Sequence, residues 1–235
     1  MFRNSFFLPV TAVVKNLIIA NVIIFIAQRM FSGSGFYLEQ YFAEHHFMSP
    51  DFRPHQLLTA VFMHGSWGHL FGNMLALFFF GSKLEMVWGA KRFLQFYLIC
   101  GIGASLISSG VTFLATFPRI EELDAAMQLA SGDQYNLLLE ERMNLTGGIS
   151  LGASGAVFGI LAAAAYLFPN DIIYIDLFIP MKMKWMALLY GGIELLMAIQ
   201  NNPNDQVGHV AHLGGGLVGF LFVYFGYRRN NKRYY

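Results

Sequence analysis

The stretch GASGAVFGILAAAAYLF, residues 152–168, combines a serine flanked by small residues with a long apolar run. A helix that begins near Ser154 leaves backbone N–H groups unpaired at its start, and the helix dipole favours negative charge there. An acyl-transfer nucleophile with an anion-stabilising site beside it needs these features. The same cluster of Gly, Ala and Ser is also typical of close packing between membrane helices. Taken alone, the stretch leaves catalysis and packing open.

The composition of the whole chain is that of a membrane protein. Of its 235 residues, 56% are hydrophobic and only 12% are charged, whereas about 25% are charged in a typical soluble domain. The net charge of +1 and the absence of a basic stripe give no reason to expect a nucleic-acid partner. The single cysteine, Cys100, excludes an intramolecular disulfide. The length suits one compact helical bundle, so residues 1–235 are predicted to form a single domain.

Six apolar segments have the length of membrane-spanning helices. They cover residues 11–29, 67–82, 92–117, 150–168, 184–200 and 208–227. The first is interpreted as a retained span and not as a signal peptide, because no small-x-small cleavage pattern follows it. The polar stretch 121–142 is predicted to be a small surface helix or cap over one mouth of the bundle. The sequence therefore predicts an all-α membrane protein with six transmembrane helices.

The lysine and arginine residues predict the orientation of this bundle. With a cytoplasmic N-terminus the inner side holds eleven of them, Arg3, Lys15, Lys83, Lys91, Arg92, Lys182, Lys184, Arg228, Arg229, Lys232 and Arg233. The outer side holds four, Arg29, Arg53, Arg119 and Arg142. We therefore expect a multi-pass protein of the inner or plasma membrane with both termini in the cytoplasm. Ser154 and all seven histidines then lie in the outer half, which predicts a polar cavity that opens outward among the second, fourth and sixth spans.

The sixth segment carries His212, Gly215 and Gly219 on one stripe of a helix. Such a glycine stripe lets the helix approach another closely, and the fourth segment has a matching stripe of small residues around Ser154. Contact between the two stripes would bring His212 within reach of Ser154 as a general base. The alternative is a packing histidine that is bonded to a backbone carbonyl.

The second segment begins with His64, His69 and Asn73. Because His69 and Asn73 are four residues apart, both side chains lie on one face of the helix. Imidazole and amide N–H groups can donate to an oxyanion. A structural hydrogen bond between helices explains the same residues equally well.

These three patterns, taken together, resemble the rhomboid intramembrane serine proteases over about residues 50–220. The patterns are His64-x4-His69-x3-Asn73, then Gly152-Ala153-Ser154-Gly155, then Ala211-His212-x2-Gly215-x3-Gly219. The resemblance implies a six-helix bundle around an outward-facing hydrophilic cavity. It also implies that Ser154 is the nucleophile and His212 the general base, a dyad without an acid.

The resemblance assigns the remaining residues by motif position. His69, Asn73 and the backbone N–H of Ser154 would form the oxyanion hole, which Gly152 helps to shape. Phe158 would lie against the base, and His64 and Gly215 would have supporting roles. The motif Glu85-x3-Gly89-x3-Phe93 fits a packing motif of the family. The implied activity is cleavage of single-span membrane proteins within the lipid bilayer, without a cofactor or a metal ion.

The chain departs from the rhomboid pattern in two places. The first outer loop has no Trp-Arg pair and is strongly aromatic instead, and the stretch 121–142 is longer than the usual connection. In addition, Glu194 is an unexplained carboxylate within the fifth segment, which pairing with an interior donor would explain.

Four alternatives compete with intramembrane proteolysis by a serine. A catalytically inactive relative that binds membrane proteins usually lacks the serine or the histidine, and both are present here. A metal or ion transporter could use His209 and His212, but no acidic residue is expected to complete their ligand set. The zinc-protease motif His-Glu-x-x-His is absent. The soluble-hydrolase motif Gly-x-Ser-x-Gly fails because Ala156 replaces its second glycine.

Overall fold

A computed structural model describes residues 10–175, 179–200, 205 and 207–229 of the chain. The cationic residues Arg3, Lys232 and Arg233, which contribute to the predicted orientation, lie outside these residues. Within the described residues, a helix is found at each of the six predicted apolar segments.

The helices are, in chain order, α1 (Ala12–Ser32), α2 (Glu39–Phe42), α3 (Gln56–Thr59), α4 (Trp67–Ala76), α5 (Ser82–Trp88), α6 (Ala90–Met127), α7 (Gly132–Thr146), α8 (Ser154–Leu167), α9 (Met183–Gln200) and α10 (His209–Arg229). A 3-10 turn, Ala60–Phe62, follows α3, and a π-helical turn, Leu77–Gly81, joins α4 to α5. The strands are β1 (Glu44–His45), β2 (Ile149–Ser150), β3 (Ile172–Ile175) and β4 (Ile179–Lys182).

By length and composition, four described helical segments can cross a membrane, Ala12–Ser32, Trp67–Trp88, Ala90–Met127 and His209–Gly226. α8 is apolar but has only 14 residues, so it is about 21 Å long against a hydrocarbon core of about 30 Å. α9 occupies the fifth predicted segment and is not among the four. Large apolar side chains such as Leu114 and Ile199 are exposed on the helices, as expected for contact with lipid. The chain is therefore a helical membrane protein.

The third predicted segment, 92–117, ends too early. α6 has 38 residues and continues through Pro118 to Met127, a length of about 57 Å. α7 packs back against it. Of the two predicted forms of the stretch 121–142, the small surface helix is wrong, because the stretch contains the end of α6 and most of α7, and the cap stays a prediction. The apolar pattern weakens before the helix ends, because the extension combines two buried apolar residues, Ile120 and Leu123, with charged residues that form ion pairs. Arg119 pairs with Glu122 and Glu141, and Arg142 pairs with Asp124.

α6, α8 and α10 pack against one another at the centre of the bundle. Phe25 of α1 and three aromatic side chains of α6, Phe93, Phe96 and Tyr97, are fully buried. Outside the bundle, β1 pairs antiparallel with β2, with Glu44 opposite Ser150, and this pairing ties the segment after α2 to the segment before α8. β3 and β4 form an antiparallel hairpin between α8 and α9.

Candidate active site

Ser154 is the first residue of α8. The chain enters this helix through Gly152, whose φ of +131° is a conformation that residues with a side chain rarely adopt. The N–H of Gly152 donates to the carbonyl of Ala60 at 2.9 Å, which fixes the bend to the segment before α4. The capping residue, Ala153, provides no side-chain hydrogen bond to the first turn. The serine therefore begins a helix whose first N–H groups have no side-chain cap, as an oxyanion site requires.

α8 and α10 cross with their backbones in contact. A Cβ atom on Gly215 would overlap the carbonyl group of Gly155, and a Cβ atom on Gly219 would overlap the carbonyl group of Gly159. We call these four residues the glycine seam. The predicted contact between two small-residue stripes is confirmed, and it depends on the close approach that glycine allows.

The seam brings His212 of α10 beside the first turns of α8. The imidazole is stacked on the ring of Phe158, with the centroids 4.4 Å apart and the planes at 8°. Phe158 lies one helical turn after Ser154, so the buried imidazole is next to the turn that carries the serine. Among the hydrogen bonds of the described residues, none joins the Ser154 hydroxyl to His212. Such catalytic hydrogen bonds are often long or poorly aligned until a substrate is bound.

His69 approaches the serine from α4. The hydroxyl of Ser66 caps this helix by accepting the N–H of His69 at 3.1 Å, which places His69 in the first turn. A Cβ atom on Gly152 would lie 2.6 Å from Cε1 and 2.8 Å from Nε2 of the His69 ring. The half-buried imidazole is thus packed against the backbone that leads into Ser154.

Asn73 lies one turn further along α4 and is buried. Its Nδ2 atom is 3.1 Å from Nε2 of His64, so one of its two N–H groups is engaged there and the other can serve a different acceptor. His64 is itself held by Gln28, whose side chain exchanges two hydrogen bonds with the His64 backbone. Burial lowers the pKa of His64 to about 4, so this imidazole is neutral at physiological pH.

Glu194 of α9 lies against the two histidines at the start of α10. Its Oε2 atom is 2.6 Å from Nδ1 of His209 and 2.9 Å from Nδ1 of His212. The contact with His209 has the geometry of a hydrogen bond. The contact with His212 is short enough for a hydrogen bond but is not aligned as one. The expectation that no acidic residue joins these histidines is therefore wrong. Their three ligand atoms lie within 4.8 Å of one another, a grouping that could also hold a metal ion.

Asp205 contacts this cluster at His209. Its Oδ2 atom is 3.1 Å from Nε2 of His209, so His209 is held by a carboxylate at each ring nitrogen. A hydrogen bond from the backbone N–H of Val207 lowers the pKa of Asp205, and contact with His209 lowers it further. This exposed carboxylate therefore stays ionised. The sequence indicated this cluster only through Glu194, because a carboxylate within an apolar segment is costly. No residue spacing identified its partners.

The other three histidines make contacts away from Ser154. The Nε2 atoms of His45, His46 and His55 contact the carbonyl of Gln40, the hydroxyl of Thr116 and the carbonyl of Tyr41, respectively. A cavity of about 220 Å³ lies beside His45 and His46, between β1, β2, α6 and α7, with Glu44 in its lining. This cavity does not include Ser154 or His212, so it is not the one expected among the second, fourth and sixth spans.

Comparison with known proteins agrees with this arrangement. A family model described as the Rhomboid domain matches residues 51–229, which is more than half of the chain. The chain belongs to the rhomboid family. The matched range runs from α3 to the end of α10 and so contains the glycine seam and the residues around Ser154.

Several rhomboid relatives are similar over most of this chain. RHOMBOID-like protein 12, mitochondrial, of Arabidopsis thaliana is 30% identical over 213 residues, which are 89% of this chain and 56% of the relative. Rhomboid protein 1, mitochondrial, of Saccharomyces cerevisiae is 30% identical over 72% of this chain and 41% of its own length. Rhomboid protease AarA of Providencia stuartii is 29% identical over 69% of this chain and 52% of its own length. The chain thus spans about half the length of these relatives.

Within this rhomboid domain, Glu85 has a structural contact of its own. Its carboxylate accepts the N–H groups of Val13 and Val14 at 3.0 and 2.9 Å and also binds the Thr11 hydroxyl. A carboxylate at the start of a helix satisfies unpaired N–H groups and favours the helix dipole. Glu85 therefore fastens the beginning of α1 to α5, as expected for a packing residue.

Proposed function

We propose that this rhomboid protein is an intramembrane serine endopeptidase that uses Ser154 as nucleophile and His212 as general base. The observation that carries the proposal is the glycine seam, which holds the stacked His212–Phe158 pair beside the helix turn that begins with Ser154. Membership of the same family as a protein named a rhomboid protease supports it.

In the proposed reaction, His212 takes the proton of the Ser154 hydroxyl while Oγ attacks the carbonyl carbon of the scissile peptide bond. The bond to the leaving amine then breaks, and His212 returns the proton to that nitrogen. Water hydrolyses the acyl-enzyme in a second step, with His212 again acting as base. The acid product then leaves, Ser154 regains its proton from His212, and the complete cycle returns both residues to their starting states.

The oxyanion of the tetrahedral intermediate needs donors on the side of Ser154 away from the seam. The Ser154 N–H and the His69 ring are suited to this role, because His69 packs against Gly152 just before the serine. Asn73 contributes through the N–H that His64 does not engage. We assign the shape of this hole to Gly152, since a side chain there would displace His69.

The expected substrates are single-span membrane proteins whose segment near the cut unwinds easily. A membrane helix keeps its carbonyl groups bonded internally, so a protease within the bilayer requires a locally extended substrate. The shortness of α8 supports cleavage at membrane depth, because a helix of 14 residues cannot reach both surfaces. Gly or Pro near the scissile bond should therefore speed cleavage.

We further place the protein in the inner or plasma membrane, with both termini in the cytoplasm and the site open to the outer face. This placement rests on the distribution of lysine and arginine residues. Two of the relatives above have mitochondrial names. Insertion of a reporter protein at Gly89, between α5 and α6, and into α7 tests the orientation, since only the first should be cytoplasmic.

Cleavage of a model single-span substrate in proteoliposomes tests the proposed activity. Ser154→Ala should abolish cleavage while the protein remains folded, because one oxygen is removed and alanine fits the first position of a helix. Ser108→Ala, on α6 and outside the proposed site, is the matched control and should cleave normally. Cleavage by Ser154→Ala at the wild-type rate would refute the nucleophile. If the wild-type protein binds the substrate and never cleaves it, the protein is an inactive membrane-protein binding factor.

A further inference from the structure

Glu194 occupies a position that the serine–histidine pair alone does not explain. The residue is only 9% exposed and lies in the interior of α9, where an ionised carboxylate is costly without partners. Its Oε2 atom faces Nδ1 of two imidazoles, at 2.6 Å for His209 and 2.9 Å for His212. The carboxylate therefore lies on the side of His212 opposite to the nitrogen that a base would direct at the serine.

We infer that Glu194 is a positioning residue that completes a Ser154–His212–Glu194 triad. This inference rests on the proposed serine mechanism. A carboxylate beside Nδ1 favours the tautomer with the proton on Nδ1, which leaves the Nε2 lone pair free to accept the serine proton. The same charge stabilises the imidazolium that forms when His212 takes that proton. Phe158 stacks on the face of the ring, so the imidazole is held at its face and at its Nδ1 edge.

His209 keeps the carboxylate in place. It donates from Nδ1 to the same Oε2 atom, and its other ring nitrogen is bound by Asp205. Glu194 is thus fixed by a neighbour one turn away on α10 and still faces His212. This arrangement gives the two histidines different roles, with His209 orienting the acid and His212 acting as base.

The distances favour hydrogen bonding over a metal ion at this cluster. Ligand atoms around a tetrahedral zinc ion, at about 2.0–2.1 Å from the metal, lie about 3.3 Å from one another. Glu194 Oε2 is closer than that to both imidazole nitrogens. The 2.6 Å contact with His209 is a hydrogen bond, and the 2.9 Å contact with His212 lies within hydrogen-bond distance and lacks only the alignment.

Two substitutions at Glu194 separate its charge from its shape. Glu194→Gln keeps the size and an acceptor oxygen, and we expect kcat to fall about 10-fold. Glu194→Leu removes the acceptor, and we expect kcat to fall about 100-fold or more, since the loss of a triad acid in other serine proteases costs about 10⁴-fold. KM should stay within about twofold in both variants, because the substrate does not contact Glu194. Glu44→Gln is the matched control, since it neutralises another buried carboxylate away from His212 and should leave kcat unchanged.

The tautomer of His212 is the direct readout. Nitrogen-15 spectra of histidine-labelled protein, assigned with a His212→Ala sample, should show a protonated Nδ1 and an unprotonated Nε2 in the wild type. In Glu194→Leu this preference should be lost. Wild-type kcat in folded Glu194→Leu, or an unchanged tautomer, would overturn the triad. Loss of activity with a chelator, restored by zinc, would overturn it in favour of a metal site. Ser154→Ala, assayed in parallel, shows separately whether the serine mechanism itself fails.

Discussion

The glycine seam and the hairpin formed by α6 and α7 join their helices in opposite ways. In the seam, α8 and α10 touch backbone to backbone, and a methyl group on Gly215 or Gly219 would overlap a carbonyl group of α8. A methyl group on Gly155 or Gly159 would overlap Ala104 or Cys100 of α6. In the hairpin, the helices are joined by ion pairs between partly exposed side chains, such as Arg142 with Asp124. Exposed ion pairs contribute little to stability, whereas a close-packed contact responds to a single added carbon atom.

The two kinds of contact also differ in their distance from the proposed catalytic residues. The residues proposed for catalysis lie at one end of the seam, where helix spacing fixes their relative positions. In the hairpin, α6 extends ten residues beyond the predicted end of the third span and α7 returns along it, and neither helix contains a residue proposed for catalysis. Substitutions in the two regions should therefore differ greatly in their effects.

The largest effect is expected from Gly215→Ala. The added Cβ would overlap the Gly155 carbonyl, so the helices must separate, and overpacking of this kind costs about 3 kcal/mol. Both thermal stability in detergent and proteolysis should be lost. Gly216→Ala is the matched control, because its nearest neighbour would be 3.9 Å away, and it should retain both. Equal behaviour of the two variants would show that the seam is not a close contact.

His212→Ala should lose at least about 10³-fold in kcat without loss of folding, because a general base typically contributes that much. His209→Ala should retain a substantial share of activity, because it removes the neighbour that orients Glu194 but leaves the proposed base in place. Cleavage assays and melting temperatures of the two variants, measured side by side, test the assignment. If the two variants exchange their behaviour, the base is His209.

Smaller losses are expected at the proposed oxyanion hole. Removal of one oxyanion donor typically lowers the rate about 10²–10³-fold. We expect about 10²-fold for His69→Ala and about 10-fold for Asn73→Ala, because one N–H of Asn73 is engaged by His64. The loss should be in kcat and not in KM, since these groups act in the transition state. Unchanged kcat in both variants would return the two residues to a structural role.

The smallest effect is expected in the hairpin. Arg142→Gln removes the ion pair with Asp124, which is partly exposed, and the unfolding free energy should change by less than about 1 kcal/mol. Proteolysis should stay at the wild-type level. A large loss of activity in this variant would mean that the hairpin controls access to the site, and the contrast between the two regions would fail.

The positions of the long helices could be predicted from the sequence, because a helix that contacts lipid needs a long continuous run of apolar residues. The segments 11–29 and 184–200 correspond closely to α1 and α9. The end of α6 could not be predicted, because its extension mixes buried Ile120 and Leu123 with charged residues that pair with α7, and the mean hydropathy of such a stretch is low. The seam was predictable because glycine spacing on two segments indicates close approach directly.

The candidate site was predictable only in part. Motif positions indicated Ser154, His212 and Phe158, and the structure places the last two in ring contact. Glu194 was recognised as unusual, but its partners lie on another helix at no characteristic spacing. The hydrogen bond between Asn73 and His64 could not be predicted either. The two residues are nine positions apart, and their spacing shows neither that the chain bends before α4 nor which way the Asn73 amide points.

The central claim is that the glycine seam positions His212 to act as the base for Ser154. Labelling with a serine-directed fluorophosphonate tests this claim most directly. The solubilised protein should form a covalent adduct, and mass spectrometry of its peptides should locate the adduct on Ser154 alone. Labelling should be lost in His212→Ala, which stays folded, and kept in Gly216→Ala. No adduct on folded wild-type protein, an adduct on another serine, or full labelling of Ser154 without His212 would contradict the account.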